Sequence, residues 1–355
     1  MKIIHTADLH IGSALTARLP QDKARQRKSE LVATFEKMAD EAVYLGVGLF
    51  IIAGDLFDTT DVSRERCERI LGIIARNSSV DFLYLSGNHE KNALIESGCT
   101  LPVNLKLFGT EWTYYRYDGV TVAGRSESCE NMFDTLSIDP SSKNIVVLHG
   151  AVADRSSAEG IGLREAAGRG IDYIALGHYH SYEAYTVDEK CRAVYAGTPE
   201  GRGFDEAGDK GFVLIDTASR YIQHEFVPFA KRRIRIPELD ISRLSTRNEI
   251  HDAAAELLYR VPDGDMVRLL ITGERAPELF VDKDDFLARW GDRFYYFEVK
   301  DKSRTKIDPE AYRYDKSLKG EFIRLCFERE DLTPDEREDV IRAGLLALMG
   351  EKIGI

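Results

Sequence analysis

Five apolar runs of strand length each end on aspartate, asparagine or histidine with a small residue nearby, and this ordered set constrains the chain more than any other feature. The runs lead into Asp8-Leu9-His10, Gly54-Asp55-Leu56-Phe57-Asp58, Gly87-Asn88-His89-Glu90, His149-Gly150 and Gly177-His178-Tyr179-His180. In an open α/β sheet the carboxyl ends of neighbouring strands converge on one crevice, so five such loops can meet at a point. Residues two apart in extended chain face the same way, which lets Asp8 and His10, or His178 and His180, reach one site together. Six of the eight histidines fall in these motifs or beside a strand of the set.

Imidazole, carboxylate and a neutral amide oxygen form a mixed nitrogen and oxygen shell, which suits manganese, iron or zinc better than calcium or a thiolate-seeking metal. The candidate ligands are Asp8, His10, Asp55, Asn88, His149, His178 and His180. Seven are too many for one tetrahedral ion. They suit two ions roughly 3.5–4 Å apart if one carboxylate bridges, and Asp55 is the natural bridge. Gly54, Gly87 and Gly177 permit tight turns beside these residues.

The arrangement along the chain supports an α/β fold. Residues 2–7 read as a buried strand, 22–45 as a helix with an apolar face, 48–53 as a strand, 63–76 as a helix and 81–86 as a strand. That alternation implies a mostly parallel, helix-covered sheet. Beyond residue 110 strands dominate: Asp118-Gly119 between WTYYRY and VTVAG signals a hairpin, and 144–150, 172–180, 191–197 and 211–216 are further strand candidates. Two sheets face to face with helices outside is the economical packing. We expect a catalytic domain over 1–230, a smaller α/β capping domain over 231–305 and a helical extension over 306–355. Within these, Thr246 to Glu249 and Thr333 to Glu336 are capping boxes that open helices, the second leading into an apolar-faced helix through Ile341, Leu345 and Leu348.

The N-terminus lacks the apolar core of a signal peptide, and no window approaches the ~20 apolar residues of a membrane span. Five scattered cysteines, never in Cys-x-x-Cys spacing, suggest neither a disulfide framework nor a zinc cluster. A cytoplasmic location with no membrane contact is the expectation. The net charge of −12 opposes broad attraction to nucleic acid. Two basic clusters run against it, Lys23, Arg25, Arg27 and Lys28, then Lys231, Arg232, Arg233 and Arg235, and their bland reading is two solvated faces.

The succession DLH, GDLFD, GNHE, HG and GHYH resembles the calcineurin-like metallophosphoesterase superfamily, which implies a four-layer α-β-β-α sandwich. Within it, HTADLHIG, the GDLFD form, YAGTPEGRGFDEAGDKGFVLID and a C-terminal α/β domain resemble the SbcD-like nucleases, bacterial relatives of the nuclease subunit in Mre-Rad DNA repair complexes. The superfamily resemblance spans residues 1–230 and the nuclease resemblance fades beyond about 305. It implies one ion on Asp8, His10, Asp55 and His180 and a second on Asp55, Asn88, His149 and His178. It also implies that His89 faces the leaving group without binding metal, with Glu90 fixing its ring. Several family nucleases carry a second active-site histidine where this chain has Asp58, for which we expect a role in orienting a ligand histidine.

The implied function is a dimetal phosphodiesterase, a DNA exonuclease or endonuclease using metal-activated water, with two divalent ions, manganese first and iron or zinc as alternatives. DNA, an SbcC-like coiled-coil ATPase and a second copy of the chain are the implied partners. The alternative is a small-molecule phosphodiesterase or phosphatase of the same superfamily, which the acidic composition favours. Arg202 is a candidate for substrate phosphate, with a structural ion pair as its other reading. His5, His224 and His251 read as packed or exposed residues. Trp112, Tyr114, Tyr115 and Tyr117 read as a hairpin packing face rather than a base-stacking surface.

Overall fold

In the computed structural model of the chain the described residues are 1–15, 19–91, 93–158, 160–276, 279–306 and 314–348. They form two compact units, residues 1–235 with 264–266, and residues 236–263 with 267–355. Residues 307–313 and 349–355 of the expected extension lie outside the described residues.

The first unit begins with β1 (Lys2–Thr6), α1 (Gln21–Tyr44), β2 (Leu49–Ala53), α2 (Arg64–Arg76), β3 (Asp81–Leu85), the one-turn α3 (Ala93–Glu96) and β4 (Leu105–Leu107). The hairpin β5 (Thr113–Tyr117) and β6 (Val120–Gly124) follows, turning through Asp118-Gly119 with Gly119 at φ +69°. Then come β7 (Lys143–His149), the short β8 (Val152–Ala153) and β9 (Ile161–Gly162), α4 (Leu163–Ala166), β10 (Tyr173–Gly177), β11 (Glu183–Thr186) and β12 (Arg192–Tyr195). The unit ends with β13 (Gly211–Asp216), β14 (Gln223–Pro228) and the two-residue β15 (Ile234–Arg235).

One six-stranded sheet has the order β14-β13-β1-β2-β3-β4 and the other β11-β12-β10-β7-β6-β5. The first is parallel from β1 to β4, as the strand-helix alternation predicts, but β13 returns antiparallel beside β1, with β14 antiparallel beside β13. Nothing in the local pattern of 211–228 states that return, because it is a pairing across two hundred residues.

Alternation along the strands sorts side chains between two cores. Leu49, Ile51 and Ala53 of β2 face the second sheet, with Val122, Ile145, Val147 and Ala175. Phe50 and Ile52 face the helices, with Phe35 and Met38 of α1 and Ile70 and Ile74 of α2. A strand apolar on both faces is therefore a strand buried between layers. The outer face of the second sheet, through Val146, Leu148, Ile174 and Leu176, is covered by Met132, Phe133, Leu163 and Ala166. That fourth layer is thin, made of single helical turns and loops, which is why no long amphipathic period marks it in the sequence. The result is an α/β sandwich of two large mixed sheets with helices outside.

The second unit contains β16 (Glu238–Asp240), α5 (Arg247–Leu258), β17 (Met266–Thr272), β18 (Glu274–Arg275), α6 (Lys283–Trp290), β19 (Tyr296–Asp301), β20 (Arg304–Thr305), α7 (Leu318–Phe327) and α8 (Pro334–Leu348). Its main core joins Ile250, Ala254 and Leu258 of α5 and Phe286 and Trp290 of α6 to Leu269, Ile271 and Phe297. Both capping boxes are formed: Thr246 and Glu249 exchange hydrogen bonds at α5, and Thr333 and Glu336 do so at α8. Ile341 and Leu345 of α8 pack on Ile323 and Cys326 of α7.

The basic clusters are solvated only in part: Arg25, Lys28 and Lys231 are exposed, whereas other members turn to carboxylates of the chain. Arg27 is wholly buried and donates to Glu30 (3.0 Å), Glu200 (2.5 Å) and the carbonyl of Gly201 (2.7 Å). Arg232 donates to Glu30 at 2.8 Å and Lys231 lies 3.0 Å from it. Arg233 pairs with Asp209 and Arg235 with Asp265. A buried guanidinium without such partners would be strongly destabilising, so the acidic residues that answer it are part of the fold.

Burial by itself raises the Glu30 carboxyl, but hydrogen bonds from Arg232, Lys231 and Arg27 outweigh it and hold the group at about 2, against an ordinary value of 4.5. A depressed folded value means that the stabilisation is complete above pH 4.5 and is lost as pH falls toward 2. Glu30→Ala is expected to cost about 3 kcal/mol at pH 7, the low end for a broken buried pair because Arg27 keeps Glu200. In urea melts the variant should also lose less stability than the parent between pH 4.5 and pH 2.

Candidate metal centre

The five motif loops all lie at carboxyl ends of strands in the first unit, and the sandwich brings four of those ends, β1, β2, β7 and β10, directly together. Beyond β1 and β2 the chain stays paired: Asp8 donates its N–H to the Gly54 carbonyl (3.0 Å), His10 to Asp55 (2.9 Å) and Ile11 to Leu56 (2.9 Å). Four of the candidate ligands hold left-handed backbone, Asp8 at φ 53°, His10 at 45°, Asp55 at 50° and His178 at 110°. Such conformations cost roughly 1–3 kcal/mol each and gather where function holds them.

Asp55 Oδ2 sits between two imidazoles, 3.7 Å from His10 Nε2 and 3.3 Å from His149 Nε2. Its other oxygen accepts the His89 N–H at 3.2 Å. His149 donates Nδ1–H to the Ala53 carbonyl at 2.9 Å and places Nε2 2.9 Å from Asn88 Oδ1. Asp8 accepts the His178 N–H at 2.9 and 3.1 Å. The His178 ring meets the His149 ring edge-on at 5.5 Å. The Nε2 atoms of His10 and His180 face each other at 3.1 Å.

Donor atoms fall within 4.8 Å of one another in three groups, Asp8 with His10 and His180, Asp8 with Asp55 and His149, and His10 with Asp58 and His89. Asp8, His10, Asp55, His149 and His180 thus meet at one place, with Asn88 on His149. His178 joins through its backbone and ring face, and its ring atoms lie outside those groups.

The donor set fits a pair of divalent cations. Burial pushes the Asp8 carboxyl up to about 7, with the nearby His149 and His180 only partly opposing it. Burial, then the Arg202 charge, pushes His10 down to about 3, so it offers a neutral ring. Burial disfavours charge on Asp55 and His149 alike, yet their mutual hydrogen bond keeps the carboxylate ionised and raises the imidazole. Glycine is required around this cluster by close approach: a Cβ on Gly87 would lie 2.0 Å from Asp55 Oδ1, and one on Gly54, itself at φ +93°, would lie 2.0 Å from His149 Nδ1.

The role expected of Glu90 comes out differently, and of the two readings of Arg202 the structural ion pair is the one formed. Glu90 is buried, and its oxygens accept the N–H groups of Leu56 (3.0 Å), Phe57 (2.5 Å) and Gly87 (3.2 Å). It fastens the two metal loops to each other rather than the His89 ring, because a carboxylate buried beneath unpaired amides is drawn to them. Arg202 is committed inward: it donates to Glu206 Oε1 (2.7 Å) and to Asp58 Oδ1 (3.2 Å), so it stands as a structural ion pair and not toward substrate. Asp58 Oδ1 lies 3.0 Å from His10 Nδ1, near enough to orient that ring although not aligned as a hydrogen bond.

Sequence reasoning missed Glu206 and Lys210. Glu206 Oε1 accepts from His180 Nδ1 at 2.7 Å, and Lys210 Nζ donates to the His180 carbonyl at 2.6 Å. Both lie in the stretch after GHYH, but no spacing ties them to His180; only the turn through Gly203 to Glu206 does. His5 is a packed residue, bound to Tyr173 and the Leu176 carbonyl. His224 is half-buried, and His251 pairs with Asp285 at 2.7 Å. Trp112, Tyr114, Tyr115 and Tyr117 are all half-buried, and the polar atom of each is hydrogen-bonded to another residue of the chain.

Aspartates, histidines and an asparagine gathered at the strand ends of a double-sheet α/β sandwich define a dimetal hydrolase of phosphate esters. Residues 1–182, just over half of the 355, match the family model described as calcineurin-like phosphoesterase, and the chain belongs to that family, whose members bind two divalent metals. Among solved structures it is similar to TT1561 of Thermus thermophilus, at 10% identity over 63% of this chain and 98% of that one, with a TM-score of 0.42. It is similar to the purple acid phosphatase PPD1 of yellow lupin, at 12% identity over 60% of this chain and 48% of that one, TM-score 0.42. A dimetal phosphatase from Danio rerio gives 11% identity over 60% and 91%, TM-score 0.36. Among the described residues no helix is long and apolar enough to cross a membrane.

Gly87→Ala tests the packing of the centre. The added methyl meets both the side chain and the backbone nitrogen of Asp55, the latter at 2.5 Å. Metal per chain, measured by elemental analysis after manganese loading and desalting, should fall by at least one ion while the far-ultraviolet dichroism stays unchanged. Full metal content would show that Asp55 can move aside.

Proposed function

We propose that this phosphoesterase is a DNA nuclease of the SbcD-like type, with manganese as its natural pair of ions. Asp8, His10, Asp55 and His180 would hold one ion and Asp55, Asn88, His149 and His178 the other. When bound, such a pair acidifies an attacking water and offsets charge on the phosphoryl oxygens.

His89 carries the reading of a diester substrate. It is exposed, follows Asn88 directly, and its ring centre lies 5.1 Å from that of His10. Its backbone is anchored on Asp55 Oδ1, leaving the ring free to face a departing group. A deoxyribose oxygen is a poor leaving group unless it receives a proton, and His89 is the residue placed to donate it. The rival reading, a small-molecule phosphodiesterase or phosphatase, draws support from charge: in the clusters at 23–28 and 231–235, Arg27, Arg232, Arg233 and Arg235 are paired with carboxylates of the chain itself, which reduces the basic footprint open to a duplex.

Linear, hairpin and single-stranded DNA incubated with the protein in manganese and in magnesium separate the two readings. Turnover of nucleotides with no attack on any DNA would reject the nuclease. His89→Gln should keep both ions and slow DNA cleavage by roughly 10²–10⁴-fold, with a much smaller loss on bis-p-nitrophenyl phosphate, whose phenolate leaves unprotonated. Equal losses on both substrates would reject the proton donor, and a lost ion would make His89 a ligand.

A coiled-coil ATPase of the SbcC-like kind is the proposed partner, and a second copy of the chain a further one. The inner face of α8 is occupied by α7, so docking would use outward residues such as Leu325 and Val340, which are 53% and 41% exposed. Leu325→Glu with Val340→Glu should abolish co-purification with such a partner and spare metal-dependent hydrolysis. Retained co-purification would place the contact elsewhere.

A further inference from the structure

Beside the metal centre lies a cavity of about 560 Å³ whose wall includes Asn88, His149 and His178. The cavity therefore opens directly on the proposed ligands. Its volume is in the range of small-ligand sites, ~300–1,000 Å³, but its lining is unlike an apolar slot. Apart from histidine it has no aromatic residue, and its apolar members are glycines and alanines. A nucleobase would find no face on which to stack.

What the lining offers is hydroxyls and one cation. Ser86, Thr110, Ser126 and Ser128 contribute hydroxyls, and those of Ser86, Thr110 and Ser128 make no hydrogen bond among the described residues. Lys91 is the one cation of the lining, and its ammonium has neither a hydrogen bond nor an ion pair among the described residues. Of the other cations near the centre, Arg202 is held by Glu206 and Asp58 and Lys210 by the His180 carbonyl.

Lys91 also has an unusual backbone. It holds φ 42°, the left-handed region that a long side chain rarely adopts, and its N–H donates to the Gly87 carbonyl at 3.2 Å. Among the described residues, every other non-glycine residue at positive φ, save Asn131, is one of the proposed metal ligands. That turn sets the Lys91 side chain on the same loop as Asn88 and His89 while keeping it in the cavity wall.

We propose that this cavity binds the sugar-phosphate segment adjoining the scissile bond, with Lys91 neutralising the next phosphate. Hydroxyls and a lone ammonium recognise a phosphate and a sugar, not a base. Glu127, also in the lining and exposed, leaves one positive charge against one negative. The Glu127 carboxylate opposes further anions, which disfavours a polyphosphate. The inference rests on the phosphodiesterase reading and narrows it to substrates bearing a second phosphate one sugar away.

The test uses inhibitors, so it does not depend on whether DNA is cut. Thymidine 3′,5′-bisphosphate and thymidine 5′-monophosphate are compared as inhibitors of bis-p-nitrophenyl phosphate turnover by the full chain in manganese, and their dissociation constants are measured by calorimetry. In the parent the bisphosphate should bind roughly 10-fold or more tighter, the scale of one charge-assisted hydrogen bond. Lys91→Ala should bring that ratio close to one, and Lys91→Arg should restore most of it. Because the readout is a ratio within each variant, it is independent of basal rate. A parent ratio near one, failure of either compound to compete, or an unchanged ratio in Lys91→Ala would overturn the assignment. Failure to cut DNA in the panel above would instead count against the nuclease alone.

Discussion

The carbonyl oxygen of Ala53 is the point on which the metal centre turns. It ends β2, an interior strand of the first sheet, and accepts the Nδ1–H of His149, which ends β7 in the second sheet, at 2.9 Å. That single bond fixes the imidazole tautomer, turning Nε2 toward Asn88 and Asp55. It also sets how close the two sheets come at this end: a Cβ on Gly177, which ends β10, would lie 1.8 Å from the same oxygen. Gly177 is thus required by proximity, since its φ is not positive. With the sheets held this tightly, the His178 N–H that follows reaches both oxygens of Asp8, and the loops of opposite sheets become one site.

Much of this could be read along the chain because strand ends are local events. An apolar run, a glycine and an Asp-x-His are all contained within a short stretch, and the face on which i and i+2 project is set by strand geometry alone. The helix starts at Thr246 and Thr333 were legible for the same reason: a capping box is an exchange between residues three apart. What stayed hidden depends on distant pairing. The return of β13 beside β1, the Glu206 carboxylate on His180 and the Glu90 carboxylate under three amides have no local signature. In each case a polar group is claimed by whichever unpaired partner the fold brings nearest.

The two basic clusters illustrate the same limit in terms of charge. Read in sequence, Lys23 to Lys28 and Lys231 to Arg235 are runs of cations, and a run of cations is normally solvated. In the fold α1 lays Arg27 and Glu30 beneath Glu200 and beside Arg232, so the acidic and basic residues of three distant segments neutralise one another. Arg27 is the largest fully buried side chain of the described residues. An acidic composition therefore coexists with a buried arginine, and pairs of this kind remove cations from the surface while leaving the net charge of −12 unchanged.

The loops around the metal centre are shaped by protein partners. Backbone hydrogen bonds from Asp8, His10 and Ile11 to the β2 loop, the three amides on Glu90 and the Glu206 contact to His180 all hold the ligands in place. Left-handed conformations at Asp8, His10, Asp55 and His178 oppose folding locally, and the two apolar cores on either face of the first sheet are what offset them. A site organised this way loses little further conformational freedom when ions arrive, so the choice among metals falls on donor chemistry and spacing. The four imidazoles, two carboxylates and one amide proposed as donors would then suit a borderline cation better than calcium. On the assignment proposed for Lys91, substrate choice is a separate matter, decided outside the ligand set by the adjoining cavity wall.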